Sequence, residues 1–476
     1  MECDVAVLGG GPGGYPAAIR AAQLGANVVL IEQDRVGGTC ITVGCIPTKA
    51  WVQTAHGIKD ARETFAKIGV RVSEPELDFG QAQTNKQGIV DGLVNGITGV
   101  VKANGITIVN GRGAFTGPNT IAVEGGEDVT FRSAVIATGS HSLRPPVKGI
   151  DGPRCVDSTG LLEIGEVPKR LVILGGGVIG VEFASIFKHF GAEVTIVEML
   201  EHLIPMEDAD ASKELERAFK RRGITTHLGA KATEIGEGDG GVTLHYEGGD
   251  GKPGTVDADL VLVATGRGAS TADIGLDKAG VDFDPRKGVI ADRHMRTNVE
   301  HIYAVGDVAG VYQLAHTSFR EGEIAAENAL GHEAEMDYSA VPRCVYTDPE
   351  VAAVGLTEAQ ARQQHGDDAI VTGRFPFSAS ARAQMYGEKT GWVKTIHETR
   401  YGELLGLVIV GPQATELVNA GVIGITAEAT IETLADSIAA HPTLAEAVKE
   451  AALVALGRQI HLPPARGGRA KAAAAR

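Results

Sequence analysis

The chain has 476 residues, of which 60 are Asp or Glu and 44 are Lys or Arg, so its formal net charge is −16. This acidic balance argues against nucleic acid as the main partner, because binding to phosphates requires a basic surface. The chain is too long to fold around a single ordinary hydrophobic core, so its length predicts three or four domains.

The cysteines and the apolar runs bear on the compartment. Only one pair among the five thiols is close in sequence, unlike a secreted disulfide framework; the cysteines are Cys3, Cys40, Cys45, Cys155 and Cys344. The N-terminus enters a predicted strand at Asp4 without a charged leader, and no apolar run reaches the length of a membrane span. We therefore expect a cytoplasmic protein with no membrane association, and the mature form of an organelle protein remains an alternative.

Two stretches repeat the pattern of strand, glycine turn, helix, strand and acid. The first has predicted strands at 4–8 and 28–32 around GGGPGG, and the second has strands at 171–174 and 194–198 around GGGVIG. The first glycine and the acid are 23 residues apart in both. This pattern predicts two dinucleotide-binding units, each with a pyrophosphate at the helix N-terminus and a ribose on the acid.

Each glycine of the two turns has a predicted task. The first permits the tight turn, the second lets the backbone approach the pyrophosphate, and the third packs the helix on the strand. The residues assigned to nucleotide binding are Gly9, Gly11, Gly14 and Glu32 in the first unit, and Gly175, Gly177, Val178, Ile179, Gly180 and Glu198 in the second. The carboxylate of Glu198 would repel a 2′-phosphate, so we expect the second unit to prefer NAD over NADP. Helix packing alone is the alternative for these glycines.

The rest of the chain adds strands and then changes character. Further buried parallel strands are predicted within 135–139, 260–266 and 301–307. After about Tyr338, strands at 393–396 and 404–410 and helices at 414–427 and 444–456 predict a separate α+β domain. The last residues, 463–476, lack apolar periodicity and predict a disordered tail.

Cys40 and Cys45 follow the first nucleotide unit closely. Residues five apart do not share a face of a regular helix, and a disulfide requires Cα atoms within about 7 Å. The pair can therefore bridge only if the segment bends, which Gly44 permits. Two unpaired buried thiols remain the alternative at this point. No metal site is predicted, because no second ligand pair with zinc spacing lies nearby.

The segment around these cysteines, GGTCITVGCIPTK, resembles the redox-disulfide motif of the pyridine nucleotide–disulfide oxidoreductases. Other matching stretches are GGGPGGYPAAIRAAQLGANVVLIE, GGGVIGVEFASIFKHFGAEVTIVE, YAVGDVAGVYQLAH, VYTDPEVAAVGLTEAQA and HPTLAE. The resemblance covers nearly the whole chain, and within the family it is strongest to the dihydrolipoamide dehydrogenases. It implies an α/β fold with two Rossmann-like dinucleotide-binding domains and a C-terminal α+β dimerisation domain. The implied division is an FAD-binding domain at 1–150, an NAD-binding domain at 151–270, a central domain completing the FAD site at 271–337, and an interface domain at 338–462.

The resemblance also implies roles for individual residues. Cys45 is the thiol beside the flavin, and Cys40 is the outer thiol that exchanges with substrate. Lys49 and Glu182 form a pair near the flavin. The alternative for Lys49 is an exposed helix lysine, and the alternative for Glu182 is a carboxylate that only stabilises the helix dipole. The remaining implied cofactor contacts are Gly38, Thr39, Gly113, Thr138, Gly139, Ser140, Gly266, Asp307, Gln313, Leu314, Ala315 and His316.

His441 and Glu446 are the other catalytic residues that the resemblance implies. His441 is the base that takes a proton from a substrate thiol, and Glu446 orients its imidazole. In the family this pair reaches the disulfide of the other subunit, so a homodimer is expected. Three positions depart from the family pattern, namely Arg320, Ala439 and Ala445, and the first two lie near expected substrate or flavin surfaces.

Together these implications predict an enzyme that contains FAD, oxidises dihydrolipoyl groups and reduces NAD. Its expected partners are the dihydrolipoyl groups of a 2-oxo acid dehydrogenase complex or a glycine-cleavage-type complex. An NAD(P)H-dependent reductase of another disulfide, such as glutathione or mycothione, is the alternative. A flavin-containing redox sensor and a mainly structural subunit of a large complex are alternatives from other classes.

Overall fold

The N-terminal part of the chain is built on a seven-stranded sheet in the computed structural model, which describes residues 1–238 and 240–464. Its elements are β1 Glu2–Leu8, α1 Gly14–Gln23, β2 Val28–Glu32, α2 Gly38–Thr42, α3 Cys45–Lys59, α4 Phe79–Ala103, β3 Thr107–Asn110, β4 Gly113–Gly117, β5 Thr120–Val123, β6 Val129–Ile136 and β7 Ser140–Ser142. Six strands follow the order β3-β2-β1-β6-β5-β4. The central β1 pairs in parallel with β2 and β6, and its apolar side chains are buried.

A second parallel sheet lies between residues 155 and 263. The elements here are β8 Cys155–Val156, α5 Ser158–Leu162, β9 Arg170–Leu174, α6 Val178–Phe190, β10 Glu193–Val197, α7 Ala209–Arg222, β11 Thr225–His227, β12 Lys231–Gly238, β13 Gly241–Glu247, β14 Pro253–Ala258, β15 Leu260–Val263 and β16 Arg267–Ala269. The strand order is β11-β10-β9-β15-β8, and β12, β13 and β14 form a separate antiparallel sheet. Strand β16 follows β15 in the chain but lies outside this sheet and pairs with β7.

The chain then returns to the first sheet. The elements of this segment are α8 Leu276–Ala279, β17 Phe283–Asp284, β18 Gly288–Val289, β19 Ile302–Ala304 and α9 Ala315–Ala329. Strand β19 pairs in parallel with β6 and supplies the seventh strand, and α9 packs on α1. The segment predicted as a central domain therefore shares its sheet with the N-terminal part.

The C-terminal part is an antiparallel sheet with helices against it. Its elements are β20 Arg343–Val345, β21 Glu350–Gly355, α10 Glu358–His365, β22 Ile370–Pro376, α11 Ala381–Tyr386, β23 Trp392–Glu398, β24 Leu404–Gly411, α12 Ala414–Leu417, α13 Asn419–Thr426, α14 Ile431–Asp436 and α15 Glu446–Ala455. The strand order is β20-β21-β24-β23-β22, and α15 packs on β22 and β23. The predicted α+β domain is confirmed, although the single helix predicted at 414–427 is two helices that meet at Val418.

Short helical turns complete the described chain. There is one π turn, Asp60–Thr64, and the 3₁₀ turns are Phe65–Ile68, Gly306–Ala309, Asp367–Ala369 and Phe377–Ala379. Within residues 1–238 and 240–464, none of the helices combines the length and the apolar character that crossing a membrane requires. The predicted tail at 463–476 lies, from residue 465 onward, outside the described residues.

Candidate functional site

The two glycine turns have the same backbone geometry. Gly9 has φ +105° and Gly175 has φ +112°, a region that residues with side chains rarely adopt. A Cβ on Gly9 would lie 2.3 Å from the carbonyl oxygen of Ala137, and a Cβ on Gly175 would lie 2.3 Å from that of Ala264. Only glycine fits at these positions, so each turn closes tightly between two strands.

Glu32 and Glu198 hold the two turns in the same way. Oε2 of Glu32 accepts a hydrogen bond from the backbone N–H of Gly10 at 2.6 Å, and Oε1 accepts one from the N–H two residues after Glu32 at 2.8 Å. Glu198 accepts from the backbone N–H groups of Gly176 and Leu200. Both carboxylates are buried at the end of the second strand, where a dinucleotide fold places its ribose acid.

The helices after the turns can accept a phosphate. Neither α1 nor α6 has a side-chain cap or an acidic residue in its first turn. Val178 and Ile179 open α6, and a Cβ on the preceding Gly177 would meet no atom within 4 Å. A Cβ on Gly11 would approach nothing nearer than 3.8 Å. The dipoles of both helices favour an anion at their N-termini, so both units fit the pyrophosphate of a dinucleotide.

The cysteine pair spans a break between two helices. Cys40 lies in α2, Cys45 is the first residue of α3, and the backbone turns at Gly44, where a Cβ would lie 2.8 Å from the carbonyl oxygen of Thr39. The predicted bend at Gly44 is therefore confirmed. Both cysteines carry free thiol groups in the structure. A Cβ on Gly38 would lie 2.6 Å from the Cα of Gly11, so α2 begins directly against the first glycine turn.

The two thiols differ in acidity. A hydrogen bond from Cys40 lowers the pKa of Cys45 to about 7; desolvation opposes this effect and the charge of Lys49 adds to it. The same hydrogen bond, together with burial, raises the pKa of Cys40. Cys45 also stands at the N-terminus of a helix, where the dipole favours a thiolate. Cys45 is consequently the thiol that holds negative charge in the reduced pair.

Lys49 and Glu182 connect the cysteine helix to the second nucleotide unit. Nζ of Lys49, on α3, lies 2.8 Å from Oε2 of Glu182, on α6. The other carboxylate oxygen accepts the backbone N–H of Tyr346 at 2.9 Å, and Nζ lies 4.6 Å from the centre of the Tyr346 ring. Burial opposes the charge of Lys49, but Glu182 and Cys45 raise its pKa above the ordinary value. The lysine therefore stays a cation beside the redox pair.

A direct contact joins two of the remaining predicted residues of the first unit. Ser140 donates a hydrogen bond to the carboxylate of Asp307, and the Gln313 amide donates to the backbone oxygen of Arg267 at 3.3 Å. Gln313, Leu314, Ala315 and His316 form the entry to α9, a helix without a side-chain cap. The other predicted residues lie nearby in sequence or on the same sheet: Thr138 and Gly139 lie between β6 and β7, Thr39 lies in α2, and Gly113 is buried at the start of β4.

His441 and Glu446 form a pair on the C-terminal part. Nδ1 of His441 lies 2.8 Å from Oε1 of Glu446, and Oε2 accepts the backbone N–H of Thr443 at 2.8 Å. The imidazole is 73% exposed. Within the described part of one chain, no hydrogen bond or ion pair joins this pair to Cys40 or Cys45.

Comparison with known proteins identifies the family. Residues 3–322 match the family described as pyridine nucleotide-disulphide oxidoreductase, and residues 341–452 match its dimerisation domain. The chain belongs to the pyridine nucleotide-disulphide oxidoreductase family. FAD and NAD are the cofactors of its dihydrolipoyl dehydrogenase members, in agreement with the two nucleotide units.

Relatives within this family span nearly the whole chain. The dihydrolipoyl dehydrogenase of Halobacterium salinarum is 40% identical, over 96% of this chain and 97% of that protein. The enzyme of the same name from Geobacillus stearothermophilus is 38% identical, over 97% and 98%. Among solved structures, LpdA from Mycobacterium tuberculosis superposes with a TM-score of 0.87 at 28% identity, over 94% and 98%. The HOCl-induced flavoprotein disulfide reductase RclA from Escherichia coli gives 0.84 at 30%, over 94% and 99%.

Two residues of this oxidoreductase site were not predicted from the sequence. Nε of Arg267 donates to Oγ of Ser140 at 2.7 Å, so a residue just after the second sheet supports the Ser140–Asp307 contact. Glu321, buried on α9, accepts the N–H of Gly306 at 2.7 Å and thus holds the turn that carries Asp307. Two sequence signals could have found them. Arg267 is a charged residue that follows the apolar strand at 260–263, and Glu321 is an acid four residues after the stretch QLAHT at the start of α9.

The departure at Arg320 has a local explanation. Its guanidinium lies 2.7 Å from Glu323, one turn further along the exposed face of α9. The described part of the chain shows no hydrogen bond between Arg320 and a predicted site residue. Nothing in the structure explains the alanines at 439 and 445.

Proposed function

We propose that the protein is a dihydrolipoyl dehydrogenase, which oxidises dihydrolipoyl groups to lipoyl groups and reduces NAD. The observation that carries this proposal is the Cys40–Cys45 pair across the break between α2 and α3, set between the first glycine turn and the Lys49–Glu182 pair. The relatives named dihydrolipoyl dehydrogenase, 38–40% identical over nearly their full length, support the same substrate class.

In this proposal the first unit holds FAD and the second holds NAD. The segments 1–150 and 271–337 contain the FAD residues, 151–270 contains the NAD residues, and 338–462 forms the interface. When bound, FAD supplies a two-electron carrier and NAD supplies the final hydride acceptor. Glu32 and Glu198 would bind the riboses, and Asp307, supported by Ser140 and Arg267, would bind the flavin side chain.

The side chains of this protein account for disulfide exchange. His441 takes a proton from one thiol of the substrate, and the resulting thiolate attacks Sγ of Cys40 in the oxidised pair. The Cys40–Cys45 bond breaks, and Cys45 leaves as a thiolate stabilised by Lys49 and the N-terminus of α3. The second substrate thiol then attacks the substrate sulfur of the mixed disulfide, and its proton passes to the departing Sγ of Cys40. Cys40 is released as a thiol, the lipoyl disulfide closes, and the first proton stays on His441. The two cysteines have gained the two electrons that the substrate has lost.

The proposed enzyme works as a homodimer. His441 is exposed and makes no hydrogen bond to the cysteines in the described part of its own chain, which supports a base that comes from a second copy. The dimerisation domain carries exposed apolar side chains: Ile423 is 69% exposed and Ile438, three residues before His441, is 99% exposed. A second copy would cover this apolar surface. The match of residues 341–452 to the dimerisation domain supports the same arrangement.

The proposed partners are the dihydrolipoyl groups of a 2-oxo acid dehydrogenase complex or a glycine-cleavage-type complex. The names of the relatives support the lipoyl chemistry, and a pull-down with an acyltransferase core would test the complex. Two further points stay predictions from the sequence. They are the cytoplasmic location and the absence of nucleic-acid binding by the acidic surface.

Anaerobic reduction of NAD by dihydrolipoamide, with NADP in parallel, tests the function. Fast turnover with NAD alone is expected. Negligible turnover, with NADH still reducing the bound flavin, would contradict the substrate and retain the family. In that case the oxidised enzyme would be assayed with NADH and glutathione or mycothiol disulfides, since a disulfide reductase is also among the structural relatives.

A further inference from the structure

Asp348 is a buried carboxylate that joins three helices to the C-terminal part. Its Oδ1 lies 3.1 Å from Nζ of Lys59 on α3, and its Oδ2 lies 3.1 Å from Nε2 of His189 on α6. The guanidinium of Arg222, the last residue of α7, also contacts Oδ2. Burial opposes ionisation, but His189, Lys59 and Arg222 hold the pKa of Asp348 well below its ordinary value. The carboxylate is therefore an anion at the junction of these elements.

Lys59 and Cys45 are the two ends of one helix. Helix α3 begins at Cys45 and ends at Lys59, and Lys49 lies one turn from the cysteine. Helix α6 runs beside it, with Glu182 opposite Lys49, and its His189 shares Asp348 with Lys59. The two helices are thus tied by charged groups at both ends.

A single short segment of the C-terminal part reaches both ties. The N–H of Tyr346 donates to Glu182 at the cysteine end, and two residues later Asp348 binds Lys59 and His189 at the far end. The backbone N–H of Asp348 also donates to Ser185 of α6 at 3.1 Å. The segment 346–348 therefore lies along the α3–α6 pair and contacts it at two levels.

The packing between these ends is apolar. Trp51 of α3 meets the rings of Phe187 and Phe190 of α6 edge-on, with centroid distances of 5.9 and 6.0 Å. Apolar packing is dense and opposes large shifts of α3, but its attraction is non-directional and does not by itself select one axial position. Ion pairs with hydrogen bonds have fixed geometry and oppose such shifts. At the far end, Lys59 binds two carboxylates of the C-terminal part, Asp348 and Glu388, and of these only Asp348 also binds α6.

We propose that Asp348 is a positioning residue for disulfide exchange, which through Lys59 fixes the axial position of α3 and so keeps Lys49 beside Cys45 and Glu182. Asp348 touches neither the cysteines nor the predicted cofactor contacts in the described structure, so it acts at a distance, through the elements that it binds. The inference rests on the proposed function only in taking Cys45 as the redox thiol.

The test measures the acidity of Cys45 in the holoenzyme with a Cys40→Ser substitution. The introduced serine hydroxyl can still donate a hydrogen bond, and Cys45 is alkylated by iodoacetamide as its thiolate. The alkylation rate is followed against pH, with peptide mass spectrometry to assign Cys45. Asp348→Asn and Lys59→Gln are each expected to raise the midpoint by about one pH unit, because Lys49 moves away from the thiolate.

Two matched controls separate this effect from general loosening. Arg222→Gln removes a cation from the same carboxylate, together with a contact to Glu63 in the turn after α3, but leaves the contact between Asp348 and Lys59. Asp208→Asn removes another buried carboxylate between the second sheet and the C-terminal part, where it binds Lys394 at 2.7 Å and, in the described structure, no residue of α3. Both controls are expected to keep the parental midpoint.

The proposal stands only if Asp348→Asn and Lys59→Gln shift the midpoint and both controls do not; any other pattern overturns it. If Asp348→Asn fails to fold, the midpoint of Lys59→Gln, compared with the midpoints of the same two controls, tests the proposal. The assay needs no lipoyl substrate, so its outcome is independent of turnover. If the parental protein, which retains Cys40, shows no activity on dihydrolipoamide, that result would contradict the proposed function but not the role of Asp348.

Discussion

Nδ1 of His441 lies 2.8 Å from Oε1 of Glu446, which directs the Nε2 side of the exposed imidazole away from its own chain. In the proposed enzyme, a carboxylate in this position fixes the tautomer of the base. The geometry fits the proposed role of His441 as a base that serves a neighbouring subunit.

Replacing His441 with glutamine should remove the base. We expect kcat/KM for dihydrolipoamide to fall by about 10²–10⁴, the usual contribution of general base catalysis. The measurement is anaerobic reduction of NAD by dihydrolipoamide. His461→Gln is the matched control, because Nδ1 of His461 also lies 2.8 Å from a carboxylate, Glu450, and no catalytic role is predicted for it. Near-normal turnover of the His441 variant would show that another group is the base.

Mixed dimers should reveal that the site is shared between subunits. A Cys45→Ser chain and a His441→Gln chain are each inactive as homodimers in this scheme. Their mixed dimer restores one complete site, in which the cysteines of one subunit meet His441 of the other. We expect turnover to return on refolding or exchanging the two chains together. No recovery, with mixed dimers verified by two affinity tags, would mean that base and cysteines act within one chain.

A charge on the apolar face near His441 should weaken the dimer. Ile438 is 99% exposed in a single chain, and burying an unpaired aspartate at this position is costly. We expect Ile438→Asp to sediment as a monomer at concentrations where the parent is a dimer. It should lose dihydrolipoamide turnover while NADH still reduces the flavin. Met206→Asp is the control, since Met206 is 81% exposed on the second nucleotide unit.

The repeated nucleotide units could be predicted because their signals are local. The glycine turn and its acid lie within 23 residues in each unit, and the structure repeats the same carboxylate contacts in both. The bend between the cysteines was predictable for the same reason, since Gly44 lies within the segment. Local chain geometry therefore determines this part of the candidate site.

The supporting contacts could not be predicted, because their partners are far apart in sequence. Asp348 and Lys59 are 289 positions apart, and Arg267 and Ser140 are 127 apart. No spacing rule connects such residues, so only the packed structure brings them together. The break at Val418 was missed for another reason: apolar periodicity continues through 414–427, although the chain starts a new helix there.

The preference for NAD should depend on Glu198. Its carboxylate can accept hydrogen bonds from ribose hydroxyls and repels a 2′-phosphate. We expect Glu198→Gln to reduce the ratio of kcat/KM for NAD over NADP roughly tenfold, about 1.4 kcal/mol. Glu201→Gln is the control for charge, since it removes an acid from the same loop. Equal falls with both nucleotides would mean that Glu198 only holds the glycine turn.

Stability at mildly acidic pH should depend on His397, which is fully buried in β23. Burial lowers its pKa to about 4, with Gly402 and Glu432 opposing only in part, whereas an unfolded histidine has a pKa of about 6.5. Between these values the unfolded chain binds a proton that the folded chain does not. The stabilisation is therefore complete above about pH 6.5, and up to about 3 kcal/mol is lost as the pH falls to 4. His397→Leu should flatten this part of the profile, measured by urea unfolding at fixed protein concentration, and substitution of the exposed His365 should not. A His397→Leu profile as steep as the parent's would assign the acid sensitivity to other groups.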